Sequence, residues 1–246
     1  MTQELHTLPQ EKVLAALQRG DFSLEGEFIH GHNYTFLTQV KHQKITFRAV
    51  YKPQQGEQPL WDFPDDTLAH RETAAFLVSE ALGWQLVPPT VFRDDGPHGP
   101  GSLQFFIAHN PDYHYFNLSD EDFQRLPPVV FFDLLINNAD RKGSHLIFGP
   151  EEQLWLIDHG LCFNAEEKLR TVIWDFAGQP IPANLQDALV KFKDALDSPS
   201  ELAAALGEQL APGEITALIA RANALLEMET FPFPPQDRRA YPFPPL

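Results

Sequence analysis

Two acidic residues and a histidine flank two short apolar runs in the middle of the 246-residue chain. Asp140 opens a polar loop that ends at His145, and the runs 146–148 and 154–157 follow it. Asp158 comes directly after the second run. Because two such runs joined by a Gly-Pro turn form a hairpin, both carboxylates are expected at its open end. Mg²⁺ prefers carboxylate oxygens together with phosphate and water, so the pattern suits a divalent cation.

The order of these residues resembles a protein-kinase active site. A kinase catalytic loop places an Asp five residues before a metal-binding Asn, and a second metal-binding Asp follows in a D-F-G motif. Here Asp140 precedes His145 by five residues, and Asp158-His159-Gly160 stands where D-F-G would. The strings N-N-A-D-R-K-G-x-H, I-D-H-G and K-L-R-T-V-x-W resemble small bacterial proteins in the phosphatidylinositol 3-/4-kinase-like branch of the protein-kinase-like superfamily.

That resemblance implies a bilobal α+β fold, with a small antiparallel sheet in the N-terminal lobe and mainly helices in the C-terminal lobe. We assign residues 1–107 to the N-terminal lobe and residues 108–246 to the C-terminal lobe. The resemblance also implies an ATP-dependent phosphotransferase that uses Mg²⁺ or Mn²⁺. The acceptor of the phosphate, a protein or a small molecule, is left open by the sequence.

The composition limits the compartment and the partners of the chain. With 43% hydrophobic residues the chain is globular, and its length can bury a sizeable core. No run approaches the ~18 apolar residues of a membrane span. The N-terminus lacks a signal-peptide pattern, and the single Cys162 excludes an internal disulfide. A net charge of −16 repels nucleic acids and anionic lipids, so we predict no nucleic-acid partner and no membrane insertion. The single cysteine favours a cytoplasmic location.

A lysine and a glutamate in the N-terminal part are predicted to form an ion pair. Lys52 ends an alternating strand, a position at which a lysine alone is normally solvated. Glu72 lies on an apolar face of a helix predicted over 67–82. Since a carboxylate on such a face is costly unless paired, Lys52 is its natural partner, as in the Lys–Glu pair of kinases. The neighbouring His70 and Arg71 are predicted to lie on the surface.

Two segments are predicted to contact a nucleotide. The turn Gly31-His32-Asn33 would present its backbone N–H groups to the phosphates, although without G-x-G-x-x-G it equally suits an ordinary hairpin turn. The segment after Gln104 corresponds to a kinase hinge, whose backbone groups would meet an adenine edge. Phe106 would then form part of the adenine pocket, although apolar residues of this segment also suit a core position.

The remaining sequence predicts helices and a proline-rich tail. The helices are expected at residues 128–137, 183–196, 199–209 and 213–228. Asp133, inside the first of them, is predicted to be a buried carboxylate that holds Arg141 or a backbone N–H of the following loop. The tail, residues 231–246, either docks into an aromatic groove or packs across its own domain.

The resemblance assigns a role to each candidate residue. Lys52 would hold the nucleotide phosphates and would itself be positioned by Glu72. Asp140 would orient the incoming hydroxyl or accept its proton. His145 and Asp158 would bind the metal ion.

Three positions depart from the kinase pattern. His145 stands in place of Asn, and because imidazole suits softer metals, Mn²⁺ would serve better than Mg²⁺. Lys142 stands where phosphatidylinositol kinases carry a His, and His159 replaces the Phe of D-F-G. These departures bear on phosphotransfer more than on ATP binding.

Two alternatives follow from the same residues. A pseudokinase would keep the fold and bind nucleotide as a scaffold module, without transferring phosphate. A metal-dependent hydrolase would use His145, Asp158 and His159, together with His30 or His32. No spacing typical of a zinc site joins these residues, which weighs against the hydrolase.

Overall fold

A five-stranded antiparallel sheet occupies the N-terminal part of the chain. The computed structural model describes residues 8–28, 33–197 and 199–246. The strands are β1 (Asp21–Glu27), β2 (Phe36–His42), β3 (Ile45–Pro53), β4 (Thr90–Gly96) and β5 (Gly99–Phe105). Their spatial order is β1-β2-β3-β5-β4, so β3 lies at the centre of the sheet.

The alternation of side chains along β3 gives the sheet a covered face and an open face. Phe47, Ala49 and Tyr51 are buried beneath helix α1 (Gln10–Arg19), which contributes its own apolar side chains to the same cluster. Successive residues of a strand point to opposite faces, so Lys52 lies on the other side. The open face of the sheet is therefore the one that carries the predicted catalytic lysine.

Helix α2 (Leu68–Ala81) connects the sheet to the C-terminal helices. It packs against β4 and β5 and also against α6 (Glu201–Gln209). Because it is enclosed on several sides, most of its residues are buried, including two that carry charge. An enclosed helix of this kind offers no single polar face, and its ionisable residues must find partners inside the protein.

The prediction that His70 and Arg71 lie on the surface is wrong. Arg71 is 1% exposed, and its guanidinium pairs with Glu214 and donates to the carbonyl of Cys162 at 2.6 Å. His70 is half-buried and stacks on Phe92, with ring centroids 3.9 Å apart. The contacts come from segments that are remote in the sequence, so the helical pattern of α2 alone does not reveal them.

The C-terminal part consists mainly of helices around α4 (Pro127–Ile136). The other helices are α3 (Asp120–Phe123), α5 (Ala183–Asp197), α6 and α7 (Pro212–Glu227), and the strands β6 (Leu146–Phe148) and β7 (Leu154–Leu156) form a hairpin. Seven of the ten residues of α4 are buried, which confirms the predicted burial of this helix. None of the described helices combines the length and apolar character that crossing a membrane requires.

The proline-rich tail packs across the surface of its own chain. The carbonyl of Ala240 accepts a hydrogen bond from the backbone N–H of Thr171 at 3.1 Å and another from the indole of Trp174 at 3.1 Å. The carbonyl of Pro245 accepts one from the N–H of Gly143 at 2.8 Å. Of the two arrangements predicted for the tail, the structure shows packing within the chain.

Replacing Leu135 by Ala is expected to lower the free energy of unfolding by about 3 kcal/mol. Leu135 is fully buried in α4, so the substitution removes apolar contacts and leaves a cavity. Denaturant titration measures the change. The control is Val190→Ala on α5, where the side chain is 45% exposed and the expected change is below about 0.5 kcal/mol. Equal losses in both variants would contradict a core centred on α4.

Candidate active site

A lysine amine and two carboxylates meet at the open face of the sheet. The amine of Lys52 donates to Glu72 and, at 3.0 Å, to Oδ1 of Asp158, which lies 106 residues away in the sequence. The predicted ion pair between Lys52 and Glu72 is thus confirmed. Burial alone would lower the pKa of Lys52, but the facing carboxylates raise it above its ordinary value. The amine therefore stays charged.

The carboxylate of Glu72 is buried and accepts hydrogen bonds with both of its oxygens. Its residue is 2% exposed, one oxygen accepts from Lys52, and the other accepts from the backbone N–H of His159 at 3.0 Å. A buried charge is stable only where such donors replace the water it has lost. Glu72 therefore fixes β3, α2 and the loop after β7 relative to one another.

Asp158 projects into the cleft from an unusual backbone conformation. Its φ of 62° lies in the left-handed region, which residues other than glycine rarely adopt. The side chain is 50% exposed, and its Oδ2 lies 3.3 Å from Nε2 of His145. The charge of Lys52 is the main cause that lowers the pKa of Asp158, so the carboxylate is ionised at neutral pH. Backbone strain of this kind concentrates at ligand sites.

His145 and Asp158 present a nitrogen and an oxygen to the same point of the cleft. Burial lowers the pKa of His145 to about 4, so its imidazole is neutral at pH 7. Two adjacent ligands of an octahedral ion with bonds of about 2.1 Å lie about 3 Å apart. The 3.3 Å between Nε2 of His145 and Oδ2 of Asp158 fits that arrangement once the ring proton lies on Nδ1. Without a metal ion, Nδ1 accepts from the N–H of Lys142 at 3.4 Å, so the proton of the neutral ring lies on Nε2 and faces Asp158.

The protein supplies only part of a metal coordination sphere here. Within the residues that the structure describes, no group of three or more His, Cys, Asp or Glu side chains is placed to hold a metal ion. Mg²⁺ commonly binds through one or two protein ligands, with substrate phosphates and water completing the octahedron. The pair His145 and Asp158 fits a cation of this kind, bound together with a phosphate-bearing ligand.

Asp140 lies on a loop whose backbone is held by Asn138. Oδ1 of Asn138 accepts from the N–H of Asp140 at 2.9 Å, and its Nδ2 donates to Asp133 at 3.0 Å. The side chain of Asp140 is 24% exposed and pairs with Lys142 at 3.2 Å. Burial raises the pKa of Asp140 to about 6, although Lys142 opposes the rise. Asp140 is thus mainly ionised at pH 7 and is a suitable proton acceptor.

A buried ion pair supports this loop from the interior. Arg141 is fully buried and donates to Asp133 from Nε and from Nη2, each at 2.9 Å. This contact was one of the two predicted for Asp133, and it is confirmed. Arg141 also donates to the carbonyl of Ile157 at 3.1 Å and to Nε2 of His159 at 2.9 Å. The only sequence signal for these further contacts is the five donors of a guanidinium, which one carboxylate cannot satisfy.

His159 continues the polar contacts from the loop to helix α2. Since a guanidinium only donates, Nε2 of His159 accepts from Arg141, and the ring proton belongs on Nδ1, 3.8 Å from Glu72. Burial, followed by the charge of Arg141, lowers the pKa of His159 well below its ordinary value. The ring is therefore neutral, and its Nδ1 has no hydrogen-bond partner among the described residues. The contact of His159 with Glu72 is made by its backbone N–H, at a position where D-F-G kinases carry an apolar Phe.

The predicted phosphate-covering turn is described only in part. Gly31 and His32 lie outside the described residues, as does His30 of the hydrolase hypothesis. Asn33 is described, and its side-chain oxygen accepts a hydrogen bond from the N–H of Gln58 at 2.8 Å. The side chain of Asn33 is therefore engaged with a neighbouring loop, and the contact of this turn with phosphates stays a prediction.

The predicted hinge borders a cavity of about 660 Å³. Gln104 is paired within the sheet and its side chain donates to Thr90 at 2.8 Å, so its contact with an adenine stays a prediction. Phe106 lines the cavity from the hinge, and Trp155 lines it from the β6–β7 hairpin. Arg48 also borders the cavity. It lies on the same face of β3 as Lys52, four residues and therefore about 13 Å away along the strand.

The fold is similar to that of two solved proteins, one of which is named a kinase. The structure matches CtkA, a proinflammatory kinase of Helicobacter pylori, with a TM-score of 0.53 and 11% identity over 87% of this chain and 94% of that one. It also matches hydra Fam20, solved with sugar, with a TM-score of 0.50 and 15% identity over 88% of each chain. At these identities the likeness concerns the fold alone, which is kinase-like.

The chain belongs to the same family as Protein Rv2133c of Mycobacterium tuberculosis. The two are 40% identical over 94% of each chain. Phosphatidylinositol 4-kinase gamma 2 of Arabidopsis thaliana is 27% identical in an alignment 169 positions long, gaps included, that covers 55% of this chain and 30% of that protein. No protein-family model matches the chain.

Replacing Arg141 by Met is expected to lower the free energy of unfolding by about 3–5 kcal/mol, because Asp133 is left as an unpaired buried carboxylate. The double variant Asp133→Leu/Arg141→Met should recover a large part of this loss, since neither buried charge remains. Denaturant titration of both variants measures the difference.

The matched control is Arg48→Met. Its guanidinium pairs with Glu25 at 2.8 Å, but 59% of the side chain is exposed, so stability should hardly change. A double variant no more stable than Arg141→Met would show that the Asp133 charge is not the cause of the loss.

Proposed function

We propose that this protein is an ATP-dependent phosphotransferase, an atypical kinase that transfers the γ-phosphate of ATP to a hydroxyl acceptor. The observation that carries the proposal is the Lys52 amine, which pairs with the buried Glu72 and also, at 3.0 Å, with the exposed Asp158. Kinase catalysis needs this Lys–Glu pair together with a metal-binding Asp. The kinase-like fold supports the same conclusion.

In the proposed transfer, Lys52 binds phosphate oxygens of the nucleotide while Glu72 holds the amine in place. The acceptor oxygen forms a bond to the γ-phosphorus, and the bond from that phosphorus to the β,γ-bridging oxygen breaks. ADP leaves with the bonding electrons, and Asp140 receives the proton of the hydroxyl. Positioning and charge neutralisation supply most of the rate in reactions of this class.

His145 and Asp158 would hold Mg²⁺ or Mn²⁺, which would neutralise charge on the β- and γ-phosphates. The two oxygens of Asp158 are directed differently, since Oδ1 accepts from Lys52 and Oδ2 faces His145. One carboxylate can therefore serve both the amine and the cation. The imidazole ligand favours Mn²⁺ over Mg²⁺.

We place the adenine in the cavity beside Phe106. The cavity reaches Arg48, which shares a face of β3 with Lys52, and this suits an extended nucleotide with its base at the hinge and its phosphates at the amine. Gln104 would border the base from within the sheet. The turn Gly31-His32-Asn33 would cover the phosphates.

We further assign the chain to the phosphatidylinositol 3-/4-kinase-like branch, with residues 1–107 as the N-terminal lobe and 108–246 as the C-terminal lobe. The match to a phosphatidylinositol 4-kinase over 55% of the chain supports this assignment. The net charge of −16 supports the absence of nucleic-acid and membrane partners, and the single cysteine supports a cytoplasmic location.

A nucleotide-binding pseudokinase is the second candidate. The observation that favours it is the ion pair between Asp140 and Lys142, which engages the proposed proton acceptor. Such a protein would bind ATP with a divalent cation, and its melting temperature would rise, but no phosphate would be transferred.

Incubation with γ-labelled ATP and Mg²⁺ or Mn²⁺ separates the two candidates. We expect phosphate release or transfer by the parent chain, lowered roughly 10²-fold or more in Asp140→Ala because the proton acceptor is lost. Asp158→Ala should abolish both transfer and the metal-dependent rise in melting temperature. The matched control is Asp94→Ala, at an exposed position of β4. Transfer that survives both active-site substitutions removes the catalytic assignment, and a rise in melting temperature without any transfer favours the pseudokinase.

Activity is expected to fall as the pH drops through about 6, approaching tenfold per pH unit. Asp140 must be ionised to accept a proton, and its pKa is raised to about 6 by burial, so activity is present above this pH and lost below it. The rate of ADP formation against pH measures the effect. Asp140→Asn should lack this step, and a flat parental profile through pH 5 would exclude Asp140 as the proton acceptor.

A further inference from the structure

Arg170 lies beside the catalytic loop with its side chain unpaired. Its N–H donates to the carbonyl of Asn138 at 2.9 Å, and its own carbonyl accepts from the N–H of Arg141 at 3.0 Å. The positive charge of its guanidinium opposes the rise that burial causes in the pKa of Asp140. Within the described part of the chain, it has no side-chain hydrogen bond and no ion pair.

An unpaired, half-buried guanidinium is a binding group for an anion. Its planar donors match the oxygens of a carboxylate or a phosphate. The chain contains 34 acidic residues against 18 basic ones, so acids that could pair with Arg170 are plentiful. Its lack of a side-chain partner beside the loop that carries Asp140 therefore indicates a ligand that carries negative charge.

The tail occupies the backbone groups beside Arg170 to which a peptide strand could add. Arg238 donates to the carbonyl of Leu169 at 2.9 Å, and the N–H of Thr171 donates to Ala240 at 3.1 Å. A peptide that adds as a strand needs free backbone groups along such an edge, and the groups on both sides of Arg170 are already taken. Further along, Pro245 accepts from Gly143, three residues after Asp140. A small molecule needs none of these backbone groups.

We infer that the phosphate acceptor is a small hydroxyl compound carrying a carboxylate or a phosphate group, which Arg170 binds so that the hydroxyl meets Asp140. This inference rests on the proposed phosphotransferase function and names its substrate class. The anionic group takes no part in the transfer, which joins the acceptor oxygen to the γ-phosphorus and releases ADP. A lipid headgroup shares this chemistry, but a chain of net charge −16 is repelled by an anionic membrane, so we assign a water-soluble acceptor.

Calorimetric titration of the full chain tests the inference, after saturation with Mg²⁺ and an ATP analogue whose β,γ-bridging oxygen is replaced by an imido group. The analogue fills the γ-phosphate position, so a second anion must bind elsewhere. The probes are glycerol 3-phosphate and inorganic phosphate, with glycerol as the uncharged comparison. We expect saturable binding of both anions and none of glycerol. The dissociation constant should rise at least tenfold in Arg170→Gln and by less in Arg170→Lys, which keeps the charge.

The matched control is Arg19→Gln, which removes the same charge from the exposed end of α1 and should leave anion binding unchanged. If the ATP analogue binds but neither anion does, or if Arg170→Gln binds them as the parent does, the inference is overturned while the proposed function stands. If the analogue itself does not bind, the proposed function fails. Arg170-dependent binding that occurs only to vesicles containing phosphatidylglycerol would overturn the assignment to a soluble acceptor.

Discussion

The buried carboxylate of Glu72 constrains the whole site, because a charge in the interior persists only when hydrogen-bond donors surround it. Its donors come from two places, the amine of Lys52 on the central strand and the N–H of His159 after β7. Sheet, helix and hairpin must therefore come together in one arrangement. The same requirement extends inward, since Arg141 needs both Asp133 and His159 to occupy its donors.

The two acids of the cleft have opposite electrostatic environments. Burial raises the pKa of Asp140 to about 6, whereas the adjacent Lys52 amine holds the pKa of Asp158 below its usual range. Environments that separate the pKa values of neighbouring carboxylates assign them different chemical roles. Asp140 is suited to exchange a proton, and Asp158 is suited to remain charged beside a cation. The difference in pKa between Asp140 and Asp158 arises from their surroundings alone, because the two side chains are chemically identical.

Helix α2 contacts both the N-terminal sheet and the C-terminal part of the chain. Its Glu72 contacts the sheet, while its buried Arg71 reaches Glu214 on α7 and the carbonyl of Cys162, four residues after Asp158. The adjacent residues Glu72 and Arg71 therefore form ion pairs on different sides of α2, one with the sheet and one with α7. The position of the Lys52–Glu72 pair thus depends on the C-terminal helices as well as on the sheet.

Patterns along the chain were enough to predict helices α2 and α4–α7, the β6–β7 hairpin and two ion pairs, Lys52 with Glu72 and Asp133 with Arg141. These predictions succeeded because apolar periodicity is local, and because a buried acid near one basic residue has few alternatives. The burial of Arg71, the hydrogen bond that His159 accepts from Arg141 and the unpaired side chain of Arg170 could be seen only in the folded chain. These depend on backbone carbonyls, amides and side chains brought in from distant segments, and no spacing along the chain encodes which of them will meet.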